Sequence, residues 1–295
     1  MPLIGEFSAL TAAILWASIS IVFTAVAFKI GVVQLNIDRM IFASIFLFIT
    51  IAVFSIDYRI NNEQLMYLTI SGFIGLVLGD SFLFKSFQEI GPRLTMLVYS
   101  INPAIAAILA YVYLGERMEM LGIIGVLVAL TGIILVVLEK PTATAKFRIT
   151  RKGIIYGLLG ATGQAVGLIF AKAAYSSGDI HSLTATFVRI ASAAILMLPL
   201  GILLKKYKNP IKLYYRERQT FRKVILGSIL GPYLGISLSF VALTNTKIGI
   251  AATLMSTVPV IMLPLSWYFY KEKLSFISIA GAFITVAGIA MLFLK

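Results

Sequence analysis

The sequence predicts an all-α integral membrane protein with ten transmembrane helices, arranged as two inverted five-helix repeats around a central cavity. Three observations carry this expectation. The 295 residues are 60% hydrophobic and 13% charged, with a mean hydropathy of +0.98, more apolar surface than a water-soluble chain of this length can hide. About ten stretches reach the roughly 20 residues that cross a bilayer as helix. Landmarks of the first half also return in the second at one spacing. Pro103 and Pro259, Glu116 and Glu272, Gly125 and Gly281, and Gly132 and Gly288 each lie 156 residues apart. Each copy holds an odd number of spans, so the second enters the bilayer upside down. Inverted repeats of this kind are the construction of alternating-access carriers, with the substrate site at their interface.

The spans fall near 6–27, 35–56, 65–84, 94–113, 120–138, 153–174, 183–204, 224–243, 250–270 and 275–294. Residues 1–140 form the first repeat, 141–152 a basic linker and 153–295 the second repeat. The first span has no basic residue ahead of its apolar run, which predicts no cleaved signal peptide. The second opens with Arg39 followed by Ala43, and the seventh with Arg189 followed by Ala193. These arginines lie 150 apart, so the second copy has gained six residues, accommodated in the long loop 205–223. The third and eighth spans resume the register at Gly79 and Gly235, again 156 apart. Pro103 in the fourth span and Pro259 in the ninth remove a helix hydrogen bond and bend their helices, and Pro264 adds a second break to the ninth. Such breaks persist in a membrane where neighbours or a water-filled cavity satisfy the freed carbonyl. The fifth and tenth spans carry Gly125, Ala129 and Gly132 against Gly281, Thr285 and Gly288. Small residues at this spacing let helix backbones approach closely, and these two helices are expected to pack at the edge of the molecule. Ten-residue segments of alternating polarity are absent, which argues against an outer-membrane barrel.

Cysteine is absent and His181 is the single histidine. Disulfides, thiolate nucleophiles and multi-histidine metal sites are therefore excluded, and no cofactor is expected. The net charge of +13 does not point to nucleic acid, because most of it lies in 140–152 and 205–223. Short basic loops stay in the cytoplasm, which places both loops there and both termini outside a cell membrane. The second loop interleaves Tyr207, Leu213, Tyr214, Tyr215 and Phe221 with its charges. It is either a solvated topology signal or an amphipathic segment on anionic lipid.

The run from Asn102-Pro103 to Leu114-Gly115-Glu116-Arg117, followed by Gly125 and Gly132, resembles the drug/metabolite transporter superfamily, in its ten-helix EamA-type branch. The second copy repeats the pattern at Pro259, Lys271-Glu272-Lys273, Gly281 and Gly288, and Arg39 and Arg189 also fit it. The resemblance implies two inverted five-helix bundles, with the first four helices of each enclosing a cavity and the fifth packed outside. It also implies the movement of amino acids or other small metabolites, coupled to protons, by exchange or by facilitated diffusion. The residue before Pro259 is Val258, where the first half has Asn102, so the two halves offer unequal polar contacts.

Ionisable groups inside a span are costly and face the bundle interior. Arg39 and Asp80 either pair with each other, or Asp80 takes up a coupling proton or a substrate ammonium in competition with Arg39. Arg189 has no matching carboxylate, since the position 156 beyond Asp80 is Ile236. It either binds a carboxylate or phosphate bidentately or snorkels. Lys85 and Glu89, one turn apart, are expected to pair. Asp38 is expected at a span end, in a solvated or interfacial role, and His181 on the surface. Glu116 and Glu272 are expected to fix tight turns. Trp16, Tyr99, Asn102, Gln164, Tyr233 and Ser256 complete the expected cavity lining, which suits a small polar or zwitterionic molecule.

Other functions fit less well. A membrane aspartyl protease needs two facing aspartates, and Asp80 is alone, in Val77-Leu78-Gly79-Asp80. A serine protease needs a histidine within a span. No phosphate-binding loop is present for ATP. A channel calls for a ring of charges or a carbonyl filter, and a lipid scramblase is a further alternative. The internal repeat supplies both halves in one chain, which predicts a monomer.

Overall fold

The computed structural model describes residues 3–114, 119–139, 147–246 and 248–292, and among these every regular element is helical. The elements run α1 (Ile4–Ile30), α2 (Val32–Val53), α3 (Asn62–Gly72), a π-helical segment π1 (Phe73–Gly79), α4 (Asp80–Tyr99), α5 (Asn102–Leu114), α6 (Met120–Leu138) and α7 (Arg151–Ser176). Then follow α8 (Ser182–Leu203), the short α9 (Pro210–Arg216), α10 (Arg218–Ser228), a second π-helical segment π2 (Ile229–Gly235), α11 (Ile236–Asn245), α12 (Ile248–Met255), α13 (Val258–Tyr270) and α14 (Phe276–Met291). Among the described residues, eight stretches are long and apolar enough to cross a membrane, and two shorter apolar helices span 102–113 and 276–291.

Local chemistry sets the element ends. Gly31 reverses the chain between α1 and α2 at φ 88°, where a side chain would be strained. Asn61 and Gln64 form a capping box at the start of α3, satisfying two of the orphan amide donors of that terminus. Thr150 and Ser275 cap α7 and α14 through their side chains. The apolar run from 62 to 99 is not one rod: Gly91, at φ 74° and followed by Pro92, breaks it. The third predicted span therefore extends to residue 90, beyond its expected end near 84, and the fourth begins at Pro92.

The 156-residue register extends to the backbone. The π turns at 73–79 and 229–235 match residue for residue. The helix gaps at Ser100–Ile101 and at Ser256–Thr257 match as well, each just ahead of a proline. Ser100 and Ser256, also 156 apart, both donate their hydroxyl to the carbonyl three residues back, Leu97 at 2.6 Å and Thr253 at 2.7 Å.

The glycine-rich faces of α6 and α14 are packed antiparallel. A Cβ on Gly125 would lie 2.5 Å from Gly288 O, and one on Gly132 would lie 2.6 Å from Gly281 O. Exchanging the two copies maps this contact set onto itself, as a two-fold axis perpendicular to both helices does. Outward, Leu127, Ile134, Leu138 and Phe283 are exposed, so the pair sits at the edge as expected. Elsewhere π1 and α4 lie against α7, and π2 and α11 against α1. Gly79 meets the backbone of Gly160 and Gly163 on one side, and Gly235 meets the Trp16 indole on the other.

Candidate functional site

Four side chains from four separate helices form one chain of contacts through the interior. Arg39 of α2 forms an ion pair with Asp80, the first residue after π1. This is the pairing arm of the two expectations. Arg39 is held from behind by Asn36, whose Oδ1 accepts from Arg39 Nε at 2.9 Å, and its guanidinium lies 4.8 Å from the Phe84 ring centroid. Asn36 in turn donates to the Leu76 carbonyl at 2.8 Å, within π1, where the wide turn exposes backbone acceptors. The other oxygen of Asp80 accepts from Gln164 Nε2 of α7 at 3.2 Å. Gln164 Oε1 accepts from Arg189 Nη2 of α8 at 2.8 Å. Arg189 is thus reached through an amide that sequence spacing alone did not connect to it. Its Nε is enclosed and has no hydrogen-bond partner among the described residues.

Tyr99 and Asn102, expected on one face of the fourth span, have their side chains paired, within electrostatic range of Asp80 and Arg189. Trp16, at the place in α1 that matches Gln164 in α7, lies against Gly235. Tyr233 is not part of the chain of contacts; its hydroxyl is 2.9 Å from Thr50 Oγ1 and its ring packs on Phe46. Ser256 bonds its own helix beside the break before Pro259, as Ser100 does before Pro103. Glu272 is buried and accepts from Arg93 Nε at 3.0 Å. Arg93 also donates to Ser278, which donates to Glu139 at 2.7 Å, so Glu272 fastens α4, α13 and α14 together. Glu116 lies outside the described residues.

One expectation is overturned, and one alternative of another is ruled out. Lys85 does not pair with Glu89. Its ammonium lies 5.6 and 5.3 Å from the ring centroids of Phe82 and Tyr156, and Glu89 accepts from Thr150 instead. Asp38 is not solvated: it is 3% exposed. Its carboxylate accepts from Gln34 Nε2 at 2.9 Å, from the Tyr207 hydroxyl at 2.9 Å and from the Tyr214 hydroxyl. Lys208 N donates to Gln34 at 2.7 Å. The basic segment between α8 and α10 is thereby tied to the start of α2, with Tyr214 turned inward. Burial, the Asp38 charge and the hydrogen bond to it push both phenols above the ordinary tyrosine range. The one signal for this cluster was the alternation of tyrosines with lysines in 205–216.

A family model described as the EamA-like transporter family matches residues 3–138 and, separately, 151–294. A protein of Archaeoglobus fulgidus described as an uncharacterized transporter is 25% identical over 97% of this chain and 96% of its own length. A solved crystal structure, 16% identical, has the same fold, with a TM-score of 0.68 over 97% of this chain and 95% of that one. Together with the apolar helices, these matches identify a multi-pass membrane transporter: the chain belongs to the EamA-like transporter family.

Proposed function

We propose that the protein is a secondary transporter that moves small metabolites, amino acids or related amphipathic compounds foremost, by alternating access between two inverted five-helix halves, 1–140 and 153–295, joined by the linker 141–152. The observation that carries this reading is the contact chain Arg39–Asp80–Gln164–Arg189, which joins α2 and α4 of one half to α7 and α8 of the other. Polar groups at membrane depth are costly and lie where substrates or ions pass. The inverted arrangement is supported by the self-matching contacts of α6 and α14 and by aromatic residues at the helix ends. Exposed Tyr111 and Tyr113 end α5, and their counterparts Trp267 and Phe269, 156 residues on, are exposed near the end of α13. In inverted halves these become belts at opposite interfaces.

On this reading the chain works as a monomer in the cell membrane, with 140–152 and 205–223 in the cytoplasm and both termini outside. Asp80 is the proton acceptor when transport is proton-coupled. Ile211 and Tyr215, 81% and 75% exposed, project from the basic segment toward anionic lipid. A second reading, an organic-anion or phosphate exchanger, is favoured by the Nε of Arg189, which has no partner among the described residues.

Counterflow into proteoliposomes tests the carrier. Saturable uptake of a labelled solute, accelerated by the same solute inside, is expected; a linear, unsaturable flux refutes it in favour of a channel. Because the chain has no cysteine, single-cysteine variants test the topology. Ser177→Cys is expected to react with an impermeant thiol reagent on intact cells, and Arg218→Cys only after permeabilisation. The reverse pattern overturns the orientation.

A further inference from the structure

Arg39 and Arg189 are the matching arginines of the two copies, and their surroundings differ by one charge. Asp80 faces Arg39. The position 156 residues beyond Asp80 is Ile236, which packs on an apolar cluster that α2, π1 and α8 build from residues such as Met40, Ala43, Leu76, Ile190 and Ala193. Arg189 holds only a neutral amide oxygen at Nη2, and its Nε is enclosed without a partner among the described residues. A guanidinium stays protonated in a protein. The contact chain therefore contains two guanidiniums and one carboxylate, one positive charge in excess, in surroundings where an uncompensated charge is expensive. The fold makes room for that group. A Cβ on Gly72 would lie 2.3 Å from the Arg189 carbonyl oxygen, and one on Gly75 would lie 2.6 Å from Arg189 Nη2. Gly75 in π1 thus leaves the space that the Arg189 guanidinium fills, while Gly72 lets α3 approach the backbone of α8.

We infer that the transported solute is a monoanion bearing a single carboxylate, which docks on Nε and Nη2 of Arg189 and does for that arginine what Asp80 does for Arg39. The inference rests on the carrier reading above and narrows its small metabolites to monoanions, in place of the zwitterionic amino acids that reading puts foremost. Side-on docking uses Nε–H and the Nη2–H beside it. The carboxylate therefore displaces Gln164 Oε1 from Nη2, while Gln164 Nε2 stays on Asp80. Docking in the second half is felt at the Arg39–Asp80 pair of the first through that one amide. Charge also selects within the class. A monoanion brings the site to neutrality, a zwitterion of the same skeleton leaves the excess charge in place, and a phosphate monoester dianion overshoots it.

The test uses the purified full-length protein and matched pairs of an oxo acid and its amino acid, 4-methyl-2-oxopentanoate with leucine and phenylpyruvate with phenylalanine, plus phenyl phosphate. Binding to the folded state raises the thermal midpoint. In at least one pair the oxo acid is expected to half-saturate this rise at a concentration at least tenfold below its amino acid and below phenyl phosphate. Arg189→Gln is expected to abolish the response and Arg189→Lys to weaken it. Ile236→Asp supplies an internal carboxylate; it is expected to lose the response while unfolding no earlier than the wild type, and it keeps the test meaningful where Arg189→Gln does not fold. An equal or stronger response to the amino acid or to phenyl phosphate overturns the inference. So does an oxo-acid response that survives Arg189→Gln, or no response to any member of the set. Saturable counterflow of an amino acid that persists in Arg189→Gln removes the monoanion and leaves the carrier standing. Wild-type protein with no saturable exchange of any of these solutes removes both.

Discussion

Replacing Tyr214 by phenylalanine deletes one oxygen atom and leaves the ring, 5.0 Å from Phe221 by centroids, in place. The lost contact is a hydroxyl donor to the buried Asp38 carboxylate. A hydrogen bond to a charged group contributes about 1.5–3 kcal/mol, and leaving a buried acceptor short of a donor adds to the loss. The contact belongs to the attachment of the basic segment to α2, so the free energy is taken from local opening of 205–217 and not from the whole bundle. Each 1.4 kcal/mol is tenfold in an opening equilibrium. Tyr214→Phe is therefore expected to raise the open population by about tenfold to a hundredfold. Tyr207→Phe, whose hydroxyl donates to the other Asp38 oxygen at 2.9 Å, is expected to act in the same range. The two effects will not add fully, because both donors serve one carboxylate.

The assay is limited trypsinolysis at Lys205, Lys206, Lys208 and Lys212 at low protease concentration, where cleavage follows the open population. Tyr215→Phe, at a site 75% exposed, is the control and is expected to leave the rate unchanged. A Tyr207→Phe/Tyr214→Phe protein cleaved within twofold of the wild-type rate refutes the reasoning. It would mean that the segment is held by its other contacts, such as the Lys29–Glu217 pair at 2.6 Å.

Three further outcomes follow from the geometry. Asp80→Asn leaves Arg39 buried without its counter-charge and is expected to cost about 3–5 kcal/mol; thermal unfolding should show a much smaller loss for Arg39→Met/Asp80→Leu, and equal losses in the two proteins would argue against a buried ion pair. Gly288→Val places a Cβ 2.3 Å from the Ala129 amide nitrogen and is expected to cost at least the 1–3 kcal/mol typical of overpacking. Gly231→Ala, whose Cβ meets nothing nearer than 3.6 Å, should unfold at the wild-type temperature or above. Because the phenols of Tyr207 and Tyr214 are pushed above the ordinary value of 10.0, the stability they contribute is complete below that pH and falls as pH rises beyond it, where the opened segment ionises first. Tyrosinate absorbance should show a late-titrating fraction in wild-type protein that is smaller by two phenols in the double phenylalanine variant.

The repeated frame was legible because its signals are local. Glycines and prolines act on their own backbone, so their return after 156 residues announced matching elements, and the structure places the π turns at 73–79 and 229–235 on that register. The pairings were harder to read because they join residues far apart. Asp38 looked solvated because the hydroxyls that bury it lie 169 and 176 residues away. Lys85 and Glu89 satisfy the one-turn rule for an ion pair, but that rule describes an isolated helix. Here Tyr156 of α7 offers the ammonium a ring, and Thr150 takes the carboxylate. The π turns were not legible: a run of Gly and Leu does not reveal where a helix will widen, and each lies against a helix distant in sequence, π1 on α7 and π2 on α1.

The difference between frame and pairings bears on function. The two copies agree where the backbone is shaped, at Gly79 and Gly235, Pro103 and Pro259, and Ser100 and Ser256. They disagree where charge and hydrogen bonds are offered: Asp80 against Ile236, Asn102 against Val258, Gln164 against Trp16. On the alternating-access reading proposed above, halves that exchange under a two-fold operation give two related conformations of similar energy, one opening toward each face. Substrate contacts have no such symmetry to obey, because one solute occupies one site. On the proposed reading, the divergence at these polar positions marks residues that choose the cargo and the shared glycines and prolines mark those that move the protein, and the proposal puts Arg189, whose copy of the opposing carboxylate is Ile236, in the first group.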